Sequence, residues 1–304
     1  MTNIDITSIG EPASREGAGS LRIAFITLGC AKNEVDSAEM VKRVASAGYE
    51  LCEDPEAAGV REITLIAQDT GRWGEEFEPR DTTAHLISVL AEEHPLIWFR
   101  LMYIEPVGVT DELLDAIAAH ANICNYLDMP LQHASARVLR DMNRTGSLED
   151  NLALVRRIRQ RVPGITLRTT VMVGFPGETE DEFQELLDML EEAEFDYVGA
   201  FAFSPEEGTR AATLPDQIDE ETKAERLQEV RDLADSISYA RVAARAGSVE
   251  EVLILGHEED GQLYGRARCQ APDVDGVTYV PEGTVGDVAL VTIADTLLYE
   301  MEGA

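Results

Sequence analysis

Cysteine is scarce and unclustered: the chain carries four, Cys30, Cys52, Cys124 and Cys269, with no CxxC or CxxxC pair among them. That spacing argues against both a disulfide framework and a self-contained metal site. Long apolar runs are missing too. No stretch of about 18 apolar residues occurs, and the opening MTNIDITSIGEPASREGAGS has no apolar centre, so the sequence predicts neither a membrane span nor a signal peptide. The cytoplasm is the expected compartment. Basic residues are few, with 25 Lys and Arg against 58 Asp and Glu and a net charge of −33. The excess acid is spread along the chain, and such a field repels phosphate backbones and attracts basic partners. Nucleic acid is therefore disfavoured as a substrate and a basic protein is admitted. Acidic side chains also serve simply to keep a surface solvated.

What is present is enough apolar residue, 44% of 304, for one α/β domain of ordinary size and a smaller one. Residues 1–20, rich in Ser, Gly, Glu and Thr, read as disordered. Leu21 to Leu28 reads as a buried strand, followed by Gly29-Cys30 and a helix from about Glu34 to Ala47 that Gly48 stops. From Val60 onward strands and helices alternate regularly. The pattern predicts strands at 62–67, 97–104, 124–129, 165–173 and 196–203, separated by helices at 82–93, 110–120, within 135–161 and at 179–193, with a long helix from about 219 to 245. Repeated strand-then-helix units imply a parallel sheet, either a partial or closed barrel or an open sheet. After Gly247 the pattern changes to five short strands with turn signals, Asp275-Gly276 above all, which fits a small antiparallel barrel of the OB type.

The chain is organised around Tyr126 to Glu182. Ile165 to Val173 is an apolar strand that breaks at Gly174-Phe175-Pro176-Gly177 and restarts as a helix at Thr179, with Glu182 three residues on in capping-box spacing. The turn places free backbone N–H groups, two glycines and the carboxylate of Glu178 at the carboxyl end of a strand, where α/β sheets hold ligands. The same four residues also suit an ordinary turn. A second strand, Cys124 to Met129, ends in Pro130-Leu131-Gln132-His133-Ala134-Ser135, so two strands deliver polar groups to one rim. A polar small molecule suits that rim. His133 equally suits a structural or capping role, and Arg168, on the strand that feeds the rim, suits either a ligand carboxylate or one of the many acids.

The motifs LGCAKNEVDSAEM at 28–40, ITLIAQDT at 63–70, YLDMPLQHAS at 126–135, MNRTGS at 142–147, LRTTVMVGFPGETE at 167–180 and FSPEEGT at 203–209 resemble, in this order, the radical S-adenosylmethionine methylthiotransferases. The resemblance is nearest to the branch that modifies an aspartate of small-subunit ribosomal protein S-twelve. It implies an α/β fold, a partial parallel barrel of five or six strands followed by a TRAM barrel. The implied division is 1–20 disordered, 21–58 a remnant of an N-terminal methylthiotransferase domain, 59–245 the partial barrel without its first βα unit, and 246–304 the TRAM domain.

By the same resemblance Gln68, Asp69, Gln132, His133, Ser135, Arg168, Gly174, Gly177 and Glu178 would line an S-adenosylmethionine pocket. Carboxylates and amides at strand ends suit ribose hydroxyls and adenine edges, and glycines permit close approach. Cys30 alone matches a ligand of the family's auxiliary 4Fe–4S cluster. The family's second cluster hangs on a CxxxCxxC loop, and here the text passes from near Ala58 straight to the strand that should follow that loop. A long internal segment is missing by comparison. Since iron–sulfur cages are anchored almost entirely by cysteine, the clusters are not expected to be held by this chain, and the family's chemistry would be lost.

Two further readings stay open: a non-catalytic module that binds S-adenosylmethionine or the ribosomal protein, and a transfer-RNA-modifying relative. From Ala246 to Ala304 only Arg266 and Arg268 are basic against twelve acids, which favours a basic protein over RNA. Finally, the strand at 21–28 is expected to take the place of the missing first barrel strand, beside 62–67, because an isolated βα unit cannot bury its faces.

Overall fold

The structure, a computed structural model, describes residues 59–304 continuously and, before them, Glu56 and the strands Arg22–Ala24 and Glu50–Cys52. Cys30, the predicted helix at 34–47 and the first twenty residues lie outside the described residues. The chain divides into two compact units, Met1–Val60 and Arg61–Ala304.

In the first unit, β1 (Arg22–Ala24) pairs in parallel with β2 (Glu50–Cys52), Arg22 opposite Glu50. This corrects the expectation that the first strand joins the large sheet. β1 thus has its parallel neighbour within its own unit. The strand Glu50–Cys52, read in the sequence as a short apolar start to an acidic turn, is that neighbour.

The second unit opens with five parallel strands in chain order, β3 (Glu62–Ile66), β4 (Trp98–Met102), β5 (Ile123–Asp128), β6 (Thr166–Val173) and β7 (Tyr197–Ala202). The crossover helices are α1 (Thr83–Glu93), α2 (Asp111–Ala119), α3 (Ala136–Asp141) with α4 (Leu148–Arg161), and α5 (Glu180–Ala193), and α6 (Glu220–Ala243) follows β7. Sequential order with parallel pairing is what repeated βα units produce when each crossover has the same hand. Among the described residues the sheet is open, with β3 and β7 at its edges.

Local sequence sets the helix ends. Thr179 accepts from Glu182 N while the Glu182 carboxylate accepts from Thr179 N, completing the expected capping box on α5. Ser147 caps α4, whose first turn is acidic (Glu149, Asp150) and whose last turn is basic (Arg159, Arg161), as the helix dipole favours.

A closed barrel follows, built from β8 (Val249–His257), β9 (Leu263–Ala267), β10 (Thr278–Val280), β11 (Val288–Leu297) and β12 (Glu300–Gly303) in the order β10-β12-β11-β8-β9. All its pairings are antiparallel except β10 with β12, which is parallel and closes the ring.

The barrel packs onto one face of the sheet. Trp98, Cys124, Tyr126 and Tyr197 share a buried cluster with Val252, Leu253, Ile254, Cys269 and Ala271. By strand alternation Phe99, Leu101, Leu127, Leu167 and Val171 take the opposite face, where the crossover helices lie. Charge is buried with the apolar contact. Arg100 is 0% exposed, donates from Nε to Glu62 Oε1 (2.7 Å) and from Nη1 to the Arg268 carbonyl (2.9 Å), and lies over the Tyr126 ring. Arg266 donates to Glu62 Oε2, and Arg268 donates to the Ala121 and Ile123 carbonyls while covering the Trp98 ring. Both basic residues of the barrel are thus bound to the sheet.

Candidate functional site

The carboxyl ends of β3 to β6 form one polar rim. After β3, Asp69 caps a short 3-10 turn at Thr70–Arg72, its Oδ1 accepting from Gly71 N (3.1 Å) and from Glu105 N (3.3 Å) beyond β4. The Glu105 carboxylate pairs with Arg144 (2.9 Å), which also reaches the Pro130 carbonyl beyond β5. Gln68, Asp69, Tyr103, Glu105 and Arg144 line a cleft of about 890 Å³, with Trp73 and Val107 on its walls. Its size is that of a small-molecule site. Gly71 and Gly108 meet at its base, where a Cβ on Gly71 would stand 2.8 Å from the Gly108 Cα, so neither accepts a side chain without a backbone shift.

The chain beyond β5 is held to β6 by its backbone. Gln132, at φ 68°, receives from Met172 N and donates to the Thr170 carbonyl, which leaves its half-buried side chain at the rim. His133 is 0% exposed. Its Nδ1 accepts from Ser135 N (3.0 Å), so the proton of the neutral ring is on Nε2, 3.4 Å from Glu178 Oε2. Ser135, also buried, caps α3 and donates to Glu182, which is gripped in turn by Arg137.

Glu178 is turned inward and saturated. Its Oε2 accepts from Gly174 N (2.9 Å) and Phe175 N (3.3 Å), and its Oε1 from Arg226 of α6 (2.7 Å). Burial opposes its ionisation, but the His133 contact, the Gly174 N–H and Arg226 outweigh burial and hold the carboxyl below its ordinary range. Gly174 and Gly177 both have positive φ, 74° and 73°. At Gly174 the need is doubled, because a Cβ would lie 2.4 Å from Lys223 Cγ.

The predicted site residues therefore fall into three sets. Gln68, Asp69 and Gln132 stand at the rim, with the first two lining the cleft. His133, Ser135, Gly174 and Glu178 form the buried support behind it, with the half-buried Gly177 in the same turn. Arg168 lies on the barrel-facing side of the sheet, donating to Asp128 Oδ1 (3.0 Å) and Thr170 Oγ1 (3.2 Å) and standing 3.5 Å from Asp275 Oδ1. Sequence reasoning did not assign Tyr103, Glu105, Asp128, Arg144 or Arg226 to the site, and it read Asp275 only as part of a turn. Tyr103 to Glu105 and Asp128 had a usable signal, polar groups directly after or at the end of an apolar strand. Arg226 had none, being one arginine among many on a charged helix.

Among the described residues the donor set does not match an iron–sulfur cluster. Among the described residues no group of three or more His, Cys, Asp or Glu is placed to hold a metal ion. Cys124 and Cys269 are free thiols buried between sheet and barrel, and burial pushes both up, Cys269 to about 12, away from the thiolate a metal requires. A cluster caged by three neighbouring thiolates does not fit these residues.

Comparison with known proteins returns a family model described as the radical SAM superfamily over residues 31–190, and a TRAM domain model over 246–304. The chain is 42% identical over 247 residues to the ribosomal protein uS12 methylthiotransferase RimO of Trichlorobacter lovleyi, covering 80% of this chain and 55% of that protein. It is 46% identical over 224 residues to the RimO of Desulforudis audaxviator, covering 74% and 50%. The chain thus spans little more than half the length of the curated relatives it matches. Among solved structures it is similar to the coproporphyrinogen III oxidase HemN of Escherichia coli, with a TM-score of 0.49 at 16% identity over 82% of this chain and 64% of that one.

Proposed function

This chain belongs to the radical SAM superfamily, and from that premise we propose that it is the ligand-binding scaffold of a RimO-type methylthiotransferase, one that binds S-adenosylmethionine at the strand-end rim without anchoring a 4Fe–4S cluster. The observation that carries the reading is the rim itself: three successive strand ends, those of β3, β4 and β5, linked through Asp69, Glu105, Arg144 and the Pro130 carbonyl beside an open cleft. Gln68, Asp69 and Gln132 would hold the nucleoside and amino-acid groups. Asp69 Oδ2 carries no backbone bond and suits a hydroxyl or an ammonium. His133, Ser135 and Glu178 would keep the flanking loops in place, and Gly174 and Gly177 would let those loops turn. Arg168 would act on the rim through Asp128. When bound, S-adenosylmethionine supplies an activated sulfonium, and the reductive cleavage of the family needs thiolates that the described cysteines do not offer.

The macromolecular partner on this reading is ribosomal protein uS12, a basic protein in the cytoplasm. Charge supports it, since the chain carries −33 and the two arginines of the C-terminal barrel are both engaged with the sheet. Among the described residues no helix is long and apolar enough to cross a membrane. A transfer-RNA partner is the competing reading and has less support, because a phosphate backbone would meet acid where it needs free cations.

Calorimetric titration of the full chain with S-adenosylmethionine tests the site, with D69A as the control. Saturable binding that D69A abolishes is expected, and no binding at millimolar ligand would overturn the site. Anaerobic treatment with iron and sulfide, followed by desalting, tests the rest. Retained cluster absorbance with release of deoxyadenosine would overturn the cluster-free reading, and a salt-sensitive gel shift with transfer RNA but not uS12 would overturn the partner.

A further inference from the structure

The C-terminal barrel contributes no lining residue to the cleft, yet one of its side chains is joined to the cleft by a continuous polar chain. Asp275 is 0% exposed, and its Oδ2 accepts from Tyr126 OH (2.5 Å) and from Ala271 N (2.8 Å). The first bond ties the barrel loop to β5 of the sheet, and the second closes the loop on itself. The second oxygen, Oδ1, is left without a hydrogen bond and faces Arg168 Nε at 3.5 Å. Arg168 is confined on its other side, where a Cβ on Gly199 would stand 3.1 Å from Nη2, so the guanidinium is held between β7 and the Asp128 carboxylate.

Asp128 carries the chain to the rim. Its Oδ2 accepts from Tyr103 N (3.2 Å) and its carbonyl accepts from Ile104 N (3.0 Å). Tyr103 has φ 59°, a left-handed conformation that a bulky residue adopts only when its surroundings impose it. Its carbonyl receives Thr70 N (2.9 Å), which ties it to the turn after Gln68 and Asp69.

We propose that Asp275 is a positioning residue of the strand-end cleft: through Arg168 and Asp128 it fixes the left-handed turn at Tyr103, so that the C-terminal barrel governs the shape of a site it does not line. The mechanical part of the proposal stands on the contacts above. Its consequence for ligand rests on the reading of the cleft as an S-adenosylmethionine site.

The test uses the full chain with D275N, whose amide oxygen still accepts from Tyr126 and Ala271 while its nitrogen faces Arg168. Hydrogen exchange at Tyr103 and Ile104 should speed up by about tenfold, the loss of one charge-assisted link, with amides in the barrel strands unchanged. D128N should do the same, and affinity for S-adenosylmethionine should fall in both. Should D275N fail to fold, R168K takes its place, since Lys keeps the charge but not the geometry that joins two carboxylates. Unchanged exchange at Tyr103, or acceleration spread evenly over barrel and sheet, overturns the proposal. Accelerated exchange at Tyr103 in a protein that binds no S-adenosylmethionine upholds the positioning and rejects the ligand reading, which keeps the two failures apart.

Discussion

Arg226→Met addresses the contact that holds the turn after β6. Arg226 reaches from α6 to donate to the Glu178 carboxylate (2.7 Å), the Glu178 carbonyl (3.2 Å) and Glu180 (3.0 Å), and its guanidinium stacks over Phe183. The Glu178 side chain is 0% exposed and that of Arg226 9%. Methionine keeps an apolar contact with Phe183 and removes the charge together with its three donated hydrogen bonds, leaving a carboxylate buried with its two N–H donors and His133. Breaking a buried ion pair from one side costs about 3–5 kcal/mol. At roughly 2–4 °C per kcal/mol for a unit of this size, the melting temperature should fall by about 10 °C. Urea unfolding of R226M, E178Q and the double variant forms a cycle in which the double variant should recover at least about 1 kcal/mol relative to the sum, because it removes the stranded charge. A loss below about 1 kcal/mol in R226M, or strict additivity in the cycle, would refute the reasoning, since either means the pair is solvated rather than buried.

Gly174→Ala should cost about 1–2 kcal/mol for the left-handed backbone and more for the collision with Lys223, and G174A/K223A should recover the collision but not the backbone part in thermal melts. The Glu182 carboxyl is brought down to about 2, chiefly by Arg137, so its contribution is complete above an unfolded value near 4.5 and is lost as pH falls towards 2. Melting temperature against pH should show that limb, and E182Q should flatten it. Asp275 has the opposite sign: burial raises its carboxyl from 3.8 to about 6, the native state keeps a proton the unfolded chain has shed, and stability declines as pH rises across that interval. D275N should remove this decline. Deleting 246–304 should give an insoluble product, because Trp98, Tyr126 and Tyr197 lose their cover and Arg100 its carbonyl partner; a soluble fragment with a cooperative melt would show that the sheet does not need the barrel.

Periodicity and turn chemistry made most of the second unit readable. The strands of the sheet are apolar runs bounded by glycine, proline or an N-cap, and the observed elements fall within a few residues of the predicted ones, as for Thr166–Val173 and the capping box at Thr179. The long helix was readable only in outline. Its buried stripe runs Lys223, Arg226, Val230, Ala234, Ser238 and Val242, half of it polar, so hydrophobic spacing alone could not say which face is inside. Asp275 shows the opposite failure. Before Gly276 it reads only as a turn residue, and Gly276 does take φ 80°, but the loop lies against the sheet and the carboxylate is buried. A local signal reports backbone geometry and is silent on what the loop touches.

By itself the sequence determined the order of βα units, the switch to a small barrel after Gly247, the scarcity of thiol ligands and the polar residues at strand ends, because each follows from spacing or composition within one stretch of chain. Tertiary structure alone decided that Glu178, His133 and Ser135 face inward, that Arg168 lies between Asp128 and Asp275, and that Arg22–Ala24 pairs with Glu50–Cys52. These depend on groups far apart in sequence meeting in a low-dielectric interior, where a charge must find a partner, and no local pattern encodes which partner it finds.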